Sequence, residues 1–104
     1  MEPGDYVNLY VIDPIEKIWG RLVRIADAGV VVRGIDVKLI ESFRYQFQKE
    51  EPAVFPQTTF WPMRRIQKID MDEAVGDIPS VIDSLKRTTG LPADEILPSP
   101  RRAS

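Results

Sequence analysis

Trp19-Gly20-Arg21-Leu22-Val23-Arg24-Ile25-Ala26-Asp27-Ala28-Gly29-Val30-Val31-Val32 is the stretch whose reading decides the fold. Its residues alternate, with Ile18, Gly20 and Leu22 on one face and Trp19, Arg21, Val23 and Ile25 on the other, which predicts a strand from about Glu16 to Ile25. Gly20 weakens such a strand unless tight bending or close backbone approach requires it, so it points to a strongly coiled sheet. Asp27-Ala28-Gly29 is hairpin chemistry, with Gly29 placed to supply a positive φ. The β-branched run Val30–Val32 then makes a third strand that ends at Arg33-Gly34.

Upstream, Pro3-Gly4 marks a turn and a first strand starts at Tyr6. Val7, Leu9 and Val11 share one of its faces; Tyr6, Asn8, Tyr10 and Ile12 share the other. Asp13-Pro14 ends it, because proline brings no ladder donor and restricts the residue before it. Three strands on short turns make a meander.

Downstream the period changes. Val37, Ile40, Phe43 and Phe47 fall at helical spacing, Leu39 widens the stripe, and Asp36 is placed to cap it. The helical insertion spans 36–50 and stops before Lys49–Pro52. A fourth strand follows at Thr58–Trp61. Pro62 ends it, Met63-Arg64-Arg65 fill a tight turn, and a fifth strand runs from Ile66 to Met71. A break this short leaves no room for a hairpin, so the chain turns a corner and the fifth strand pairs elsewhere. After the linker Asp72–Asp77, Ile78, Val81, Ile82 and Leu85 predict a helix, with Asp77 or Ser80 as cap, Asp83 completing a capping box, and Gly90 as stop. Asp94 starts one further turn carrying Ile96 and Leu97. The reading is a barrel over 1–74, a helical extension over 75–97 and a disordered tail over 98–104 that includes Arg101-Arg102.

The totals agree with one small folded domain of 104 residues, since 43% hydrophobic residues is too apolar for a wholly disordered chain. Zero histidines and zero cysteines remove the side chains most used for metal binding, nucleophilic attack and proton transfer near neutral pH. We therefore expect no enzyme, no cofactor and no metal site; Asp70, Asp72 and Glu73 lack further oxygen ligands at a spacing that would hold calcium or magnesium. The net charge of −2 argues against a strongly basic nucleic-acid binder, although a local basic patch is compatible with it. Gly29–Val32, the longest apolar run, is far too short to span a bilayer, and the polar, acidic start does not resemble a secretion signal. A cytoplasmic chain with no membrane partner is the expectation.

The order of elements resembles the Sm-like fold, the five-stranded, strongly bent barrel of Sm proteins and of the bacterial Sm-like RNA chaperone. Two stretches carry the resemblance. Trp19–Val32 sets a glycine two residues before a leucine and an aspartate at the second-to-third strand turn. Phe60–Ile69 (FWPMRRIQKI) turns the fourth strand through a corner into the fifth. The resemblance covers about residues 5–72 and implies rings built by pairing the fourth strand of one subunit with the fifth of the next. Three features depart from it. Val31 stands where the family has an RNA-contacting asparagine, Pro62-Met63 stands where it has Arg-Gly, and no helix precedes the first strand. Uridine recognition in the family's manner does not carry over.

The expected function is a non-catalytic, ring-forming homo-oligomeric binding module, with RNA or another oligonucleotide as ligand. Arg64 and Arg65 would repeat around the ring and hold phosphates, and Trp61 would offer a stacking face. The plainer reading of Trp19 and Trp61 is core or interface packing, and that of the arginines is a solvated turn. The alternative is a protein-interaction scaffold of the same fold, with Phe43, Phe47, Ile78, Val81, Ile82 and Leu85 as its contact residues.

Overall fold

A computed structural model describes residues 1–98 of the chain, so the expected tail lies outside the described residues apart from Pro98. β1 (Tyr6–Val11), β2 (Glu16–Ala26) and β3 (Gly29–Asp36) form the meander, and a 3₁₀ turn (Val37–Leu39) leads into α1 (Ile40–Lys49). β4 (Gln57–Pro62) and β5 (Ile66–Met71) flank a second 3₁₀ turn (Met63–Arg65), and α2 (Val81–Thr89) and α3 (Ala93–Ile96) follow. The fold is mainly β: one five-stranded antiparallel sheet, a helix after the third strand and C-terminal helices. None of the described helices is long and apolar enough to cross a membrane.

The sheet order is β4-β3-β2-β1-β5, so β4 and β5, neighbours in sequence, lie on opposite edges. Across a flat five-stranded sheet those edges would be about 19 Å apart, at ~4.8 Å per strand spacing. A single tight turn reaches roughly half that distance at ~2.0 Å rise per 3₁₀ residue, so the sheet must curl to let Met63–Arg65 join its rims. It curls without closing: β4 pairs only with β3 and β5 only with β1 among the described strands.

Gly20 and Gly34 are direct cross-strand partners and account for much of the curl. A Cβ on Gly20 would sit 2.3 Å from the Arg33 carbonyl oxygen, and one on Gly34 would sit 2.2 Å from that of Trp19. The two backbones touch where any side chain would hold them apart. The second bend is a bulge at Val23. Leu22 pairs with Val32 but Arg24 pairs with Val31, so the phase of β2 flips and Ile25 faces Val30 instead of continuing the Trp19–Arg21 face. Gly29 does not take the positive φ expected of it; it leaves room for the Trp61 carbonyl and the Phe60 ring, 2.2 and 2.8 Å from where its Cβ would lie.

Curling gives the sheet two buried faces. Val7, Leu9, Val11, Leu22, Val30 and Val32 fill the concave side, and Trp61, Ile66 and Ile69 from the two rims pack against them. On the convex side Trp19 and Ile35 lie beneath the helices, with Phe43 of α1, Ile82 and Leu85 of α2, and Ile96 and Leu97 at the C-terminal end. Fully burying an aliphatic or aromatic side chain of this size contributes roughly 1.5–3 kcal/mol. Trp19 and Phe43 are therefore principal anchors, at 0% and 1% exposure.

Asp36 caps the first 3₁₀ turn by accepting from the Lys38 N–H at 2.8 Å. α2 begins later than the apolar spacing suggests: Ser80 is its cap, accepting from the Asp83 N–H at 3.1 Å, and Gly90 ends it at φ 71°. Ile78 thus stands outside the helix, separated from it by Pro79, and does not belong to the α2 stripe.

Candidate binding surface at the sheet rims

Six residues of β4 and six of β5 line the two rims, each with one backbone side unpaired among the described residues. Exposed apolar side chains mark both: Phe60 (53%) on β4, Met63 at the corner and Met71 at the end of β5. Such edges template pairing with another strand unless they are covered or charged.

Trp61 lies on β4 and Arg64 and Arg65 in the turn that follows it, at the corner between the rims and in unequal roles. Arg65 is committed internally: its Nε donates to the Ile12 carbonyl at 3.0 Å and its Nη2 reaches Glu16 at 3.2 Å and the Pro14 carbonyl at 3.4 Å. The Ile12 N–H returns a bond to the Arg65 carbonyl at 2.8 Å. Arg65 thereby fastens the β1–β2 turn to the start of β5. Its guanidinium also lies 5.5 Å from the Trp61 ring centroid, so that face of the indole already carries a cation. Trp61 itself packs against the concave core with its indole N–H buried and unpartnered. Arg64 is exposed. Of the three, Arg64 alone presents its charge to solvent without first breaking an internal contact.

Beside Trp61 the concave face opens into a cavity of about 370 Å³, lined among others by Glu16, Ile18, Asp36, Gln57 and Thr59. Its carboxylates already have partners, Arg65 for Glu16 and the Lys38 N–H for Asp36. Among the described residues no three histidines, cysteines or carboxylates gather to hold a metal ion. Asp70 pairs with Lys68 at 3.1 Å, and Asp72 is fully used, accepting from the Trp19 indole at 3.0 Å and from the Val81 and Ile82 N–H groups at 2.8 and 2.9 Å.

The residues expected to form a protein contact face are divided by the structure. Phe43, Ile82 and Leu85 are buried in their own subunit, and Phe47 and Val81 are half-buried against the same core, Phe47 meeting Phe43 edge to face at 5.2 Å. Their packing on the sheet explains why α1 and α2 are so apolar. Ile78 alone stands out, 70% exposed.

Two features have no signal in the sequence. Tyr10 has the Lys17 ammonium 4.8 Å and the Lys68 ammonium 4.5 Å from its ring centroid, a row of cation, aromatic and cation across β2, β1 and β5. Nothing in the spacing signals it, because the three residues become neighbours only through strand pairing. Tyr6 stacks on Trp19 at 6.0 Å with its hydroxyl buried and unpartnered. Burial pushes its phenol above the ordinary value of 10.0, Arg21 pulls it back down, and Asp94 adds to the rise.

Searches of family models, of curated proteins and of solved structures each found no match to this chain.

Proposed function

We propose that the chain is a non-catalytic binding module of Sm-like barrel type that self-associates, β4 of one copy pairing with β5 of the next to form a ring. The observation that carries this reading is the pair of unpaired rims, equal in length at six residues, each bearing exposed apolar side chains. Strand addition satisfies the free backbone groups of both rims and covers Phe60, Met63 and Met71 at once. The element order and the curl of the sheet support the Sm-like comparison. A non-catalytic role is supported by the lack of histidine and cysteine in the sequence and by the structural employment of Glu16, Asp36 and Asp72.

For the ligand, a protein is favoured over RNA at the Trp61–Arg65 corner, because Arg65 and one face of Trp61 are engaged internally. RNA is the second reading, and the Lys17–Tyr10–Lys68 row favours it: Lys17 offers a cation for a phosphate next to an aromatic ring, while Lys68 shares its charge with Asp70.

Light scattering coupled to gel filtration tests the assembly. The wild type is expected to run at a multiple of the subunit mass, and Phe60→Lys combined with Met71→Glu is expected to lower it with the circular dichroism unchanged. A wild type of single-subunit mass at high micromolar concentration would refute ring formation. Labelled oligouridine tests the ligand: binding that falls steeply with salt and is lost in Lys17→Ala/Lys68→Ala would establish RNA over protein.

A further inference from the structure

The cavity of about 370 Å³ on the concave face lies where β3 and β4 leave one position bare. In the register of the sheet Asp36 stands opposite Ile18, Gln57 opposite Gly34 and Thr59 opposite Val32. Side chains alternate along a strand, so Val32, Gly34 and Asp36 share one face of β3, and Gln57 and Thr59 continue that face on β4. Gly34 has no side chain, and its contact with the backbone of Trp19 and Gly20 forbids one. Around this bare floor Ile18, Val32 and Leu39 supply apolar wall, while Asp36, Gln57 and Thr59 supply polar groups. The volume falls within the ~300–1,000 Å³ of ordinary small-ligand clefts.

The charge of the cleft is one-sided. No lysine or arginine lines it. Of its two carboxylates, Glu16 is neutralised by Arg65 at 3.2 Å. Asp36 is not: its Oδ1 accepts from the Lys38 backbone N–H at 2.8 Å, a neutral donor, and it enters no ion pair among the described residues. The Gln57 amide and the Thr59 hydroxyl have no hydrogen bond to another described residue. One uncompensated negative charge, two unengaged polar groups and an apolar wall thus converge on one cleft. A cation with an apolar body fits all three, whereas an anion would meet Asp36 with nothing to offset it. Trp61 lines the cleft too, but its ring already holds the Arg65 guanidinium at 5.5 Å, so Asp36 and not the indole carries the charge recognition.

We infer that this cleft binds a small organic cation, an amine or guanidinium on a short apolar body, with Asp36 as its ion-pair partner and Gln57 and Thr59 as orienting groups. The lining comes from one subunit, so the site does not rest on ring formation.

Calorimetric titration of the full chain with benzamidine and with agmatine tests it, with benzamide, the neutral isostere of benzamidine, as control. Benzamidine is expected to bind about tenfold more tightly than benzamide or better, with an affinity that falls as salt rises. Asp36→Asn keeps a side-chain oxygen for the Lys38 N–H, because asparagine caps as well as aspartate. It is expected to weaken benzamidine about tenfold or more with the circular dichroism unchanged. Gln57→Glu is expected to tighten binding and Gln57→Lys to abolish it. A capped Gly-Arg-Gly peptide separates two sources of a guanidinium: agmatine binding at least as tightly as the peptide assigns the cleft to a free molecule, and a tighter peptide assigns it to an arginine of a partner. Phe60→Lys with Met71→Glu is expected to leave the affinity unchanged, so failure of ring formation reads out separately. Equal affinities for benzamidine and benzamide, or benzamidine binding that Asp36→Asn and Gln57→Lys leave unchanged, overturn the inference.

Discussion

The indole N–H of Trp19 donates to the Asp72 carboxylate at 3.0 Å, and the same carboxylate accepts from the first two N–H groups of α2. One side chain at the end of β5 therefore ties the central residue of the convex core to the start of the C-terminal helix. Removing it orphans a buried indole donor and two helix donors together. We predict that Asp72→Ala lowers stability by about 2–3 kcal/mol, since hydrogen bonds to a charged group contribute about 1.5–3 kcal/mol. Urea unfolding followed by tryptophan fluorescence checks the value. Asp72→Asn should lose less, because its carbonyl oxygen still accepts.

The Gly20–Gly34 contact sets the curl. Gly20→Ala and Gly34→Ala each force a methyl group against a partner-strand backbone, and each is expected to cost about 2–3 kcal/mol, at the upper end of overpacking penalties. Thermal unfolding measures this. A loss under 0.5 kcal/mol would mean that the curl does not depend on the touching backbones.

The two arginines of the corner should separate in stability as they do in contacts. Arg65→Ala removes bonds to the Ile12 carbonyl and Glu16, and a loss of about 1–2 kcal/mol is expected for charge-assisted hydrogen bonds that are partly exposed. Arg64→Ala should stay within about 0.5 kcal/mol of wild type, as surface substitutions do. Equal effects in urea titrations would contradict the assignment.

Phe43→Ala and Leu85→Ala test whether α1 and α2 serve their own core. Losses of about 3–5 and 2–5 kcal/mol respectively are expected from buried large-to-small changes. If either variant instead keeps its melting temperature and only changes assembly mass, these residues face a neighbour.

Tyr6 should govern the alkaline limb of stability. Its folded phenol titrates above the ordinary 10.0 because it is buried. The unfolded chain thus ionises first, and the native state holds the extra proton. The stability this provides is fully present below pH 10.0 and is lost as pH rises through the higher folded value. Tyr6→Phe is expected to flatten that decline in urea titrations run across this range. At neutral pH it should be neutral or stabilising, because the buried hydroxyl has no partner to lose.

Much of the fold was legible because it rests on local periodicity. Alternation marks Val7, Leu9 and Val11 as a buried face, and Ile66–Met71 runs as the sequence spacing predicts. Ser80 and Gly90 act as the cap and stop of α2, the Ser80 hydroxyl accepting from the Asp83 N–H. Local pattern and structure part where one residue has two competing uses. Ile78 continues a helical spacing, but Pro79 follows it and a hairpin bridge claims it. Val23 continues an alternation that its own bulge interrupts. At the rims, Trp61 and the arginine pair were recognisable as neighbours, whereas the engagement of Arg65 by Ile12 and Glu16, about fifty positions away, had no local signal.

By itself the chain's order of residues determined most of its strands and helices and the lack of histidine and cysteine, because each follows from side-chain type at short range. Only the tertiary structure decided which charges remain free, which aromatic residues are sealed inside, and which apolar side chains stay in water. Those outcomes depend on long-range neighbours: the curl brings Arg65 to Glu16, Asp72 to Trp19, and two lysines to one tyrosine. Burial and pairing are properties of those encounters, so no local pattern could carry them.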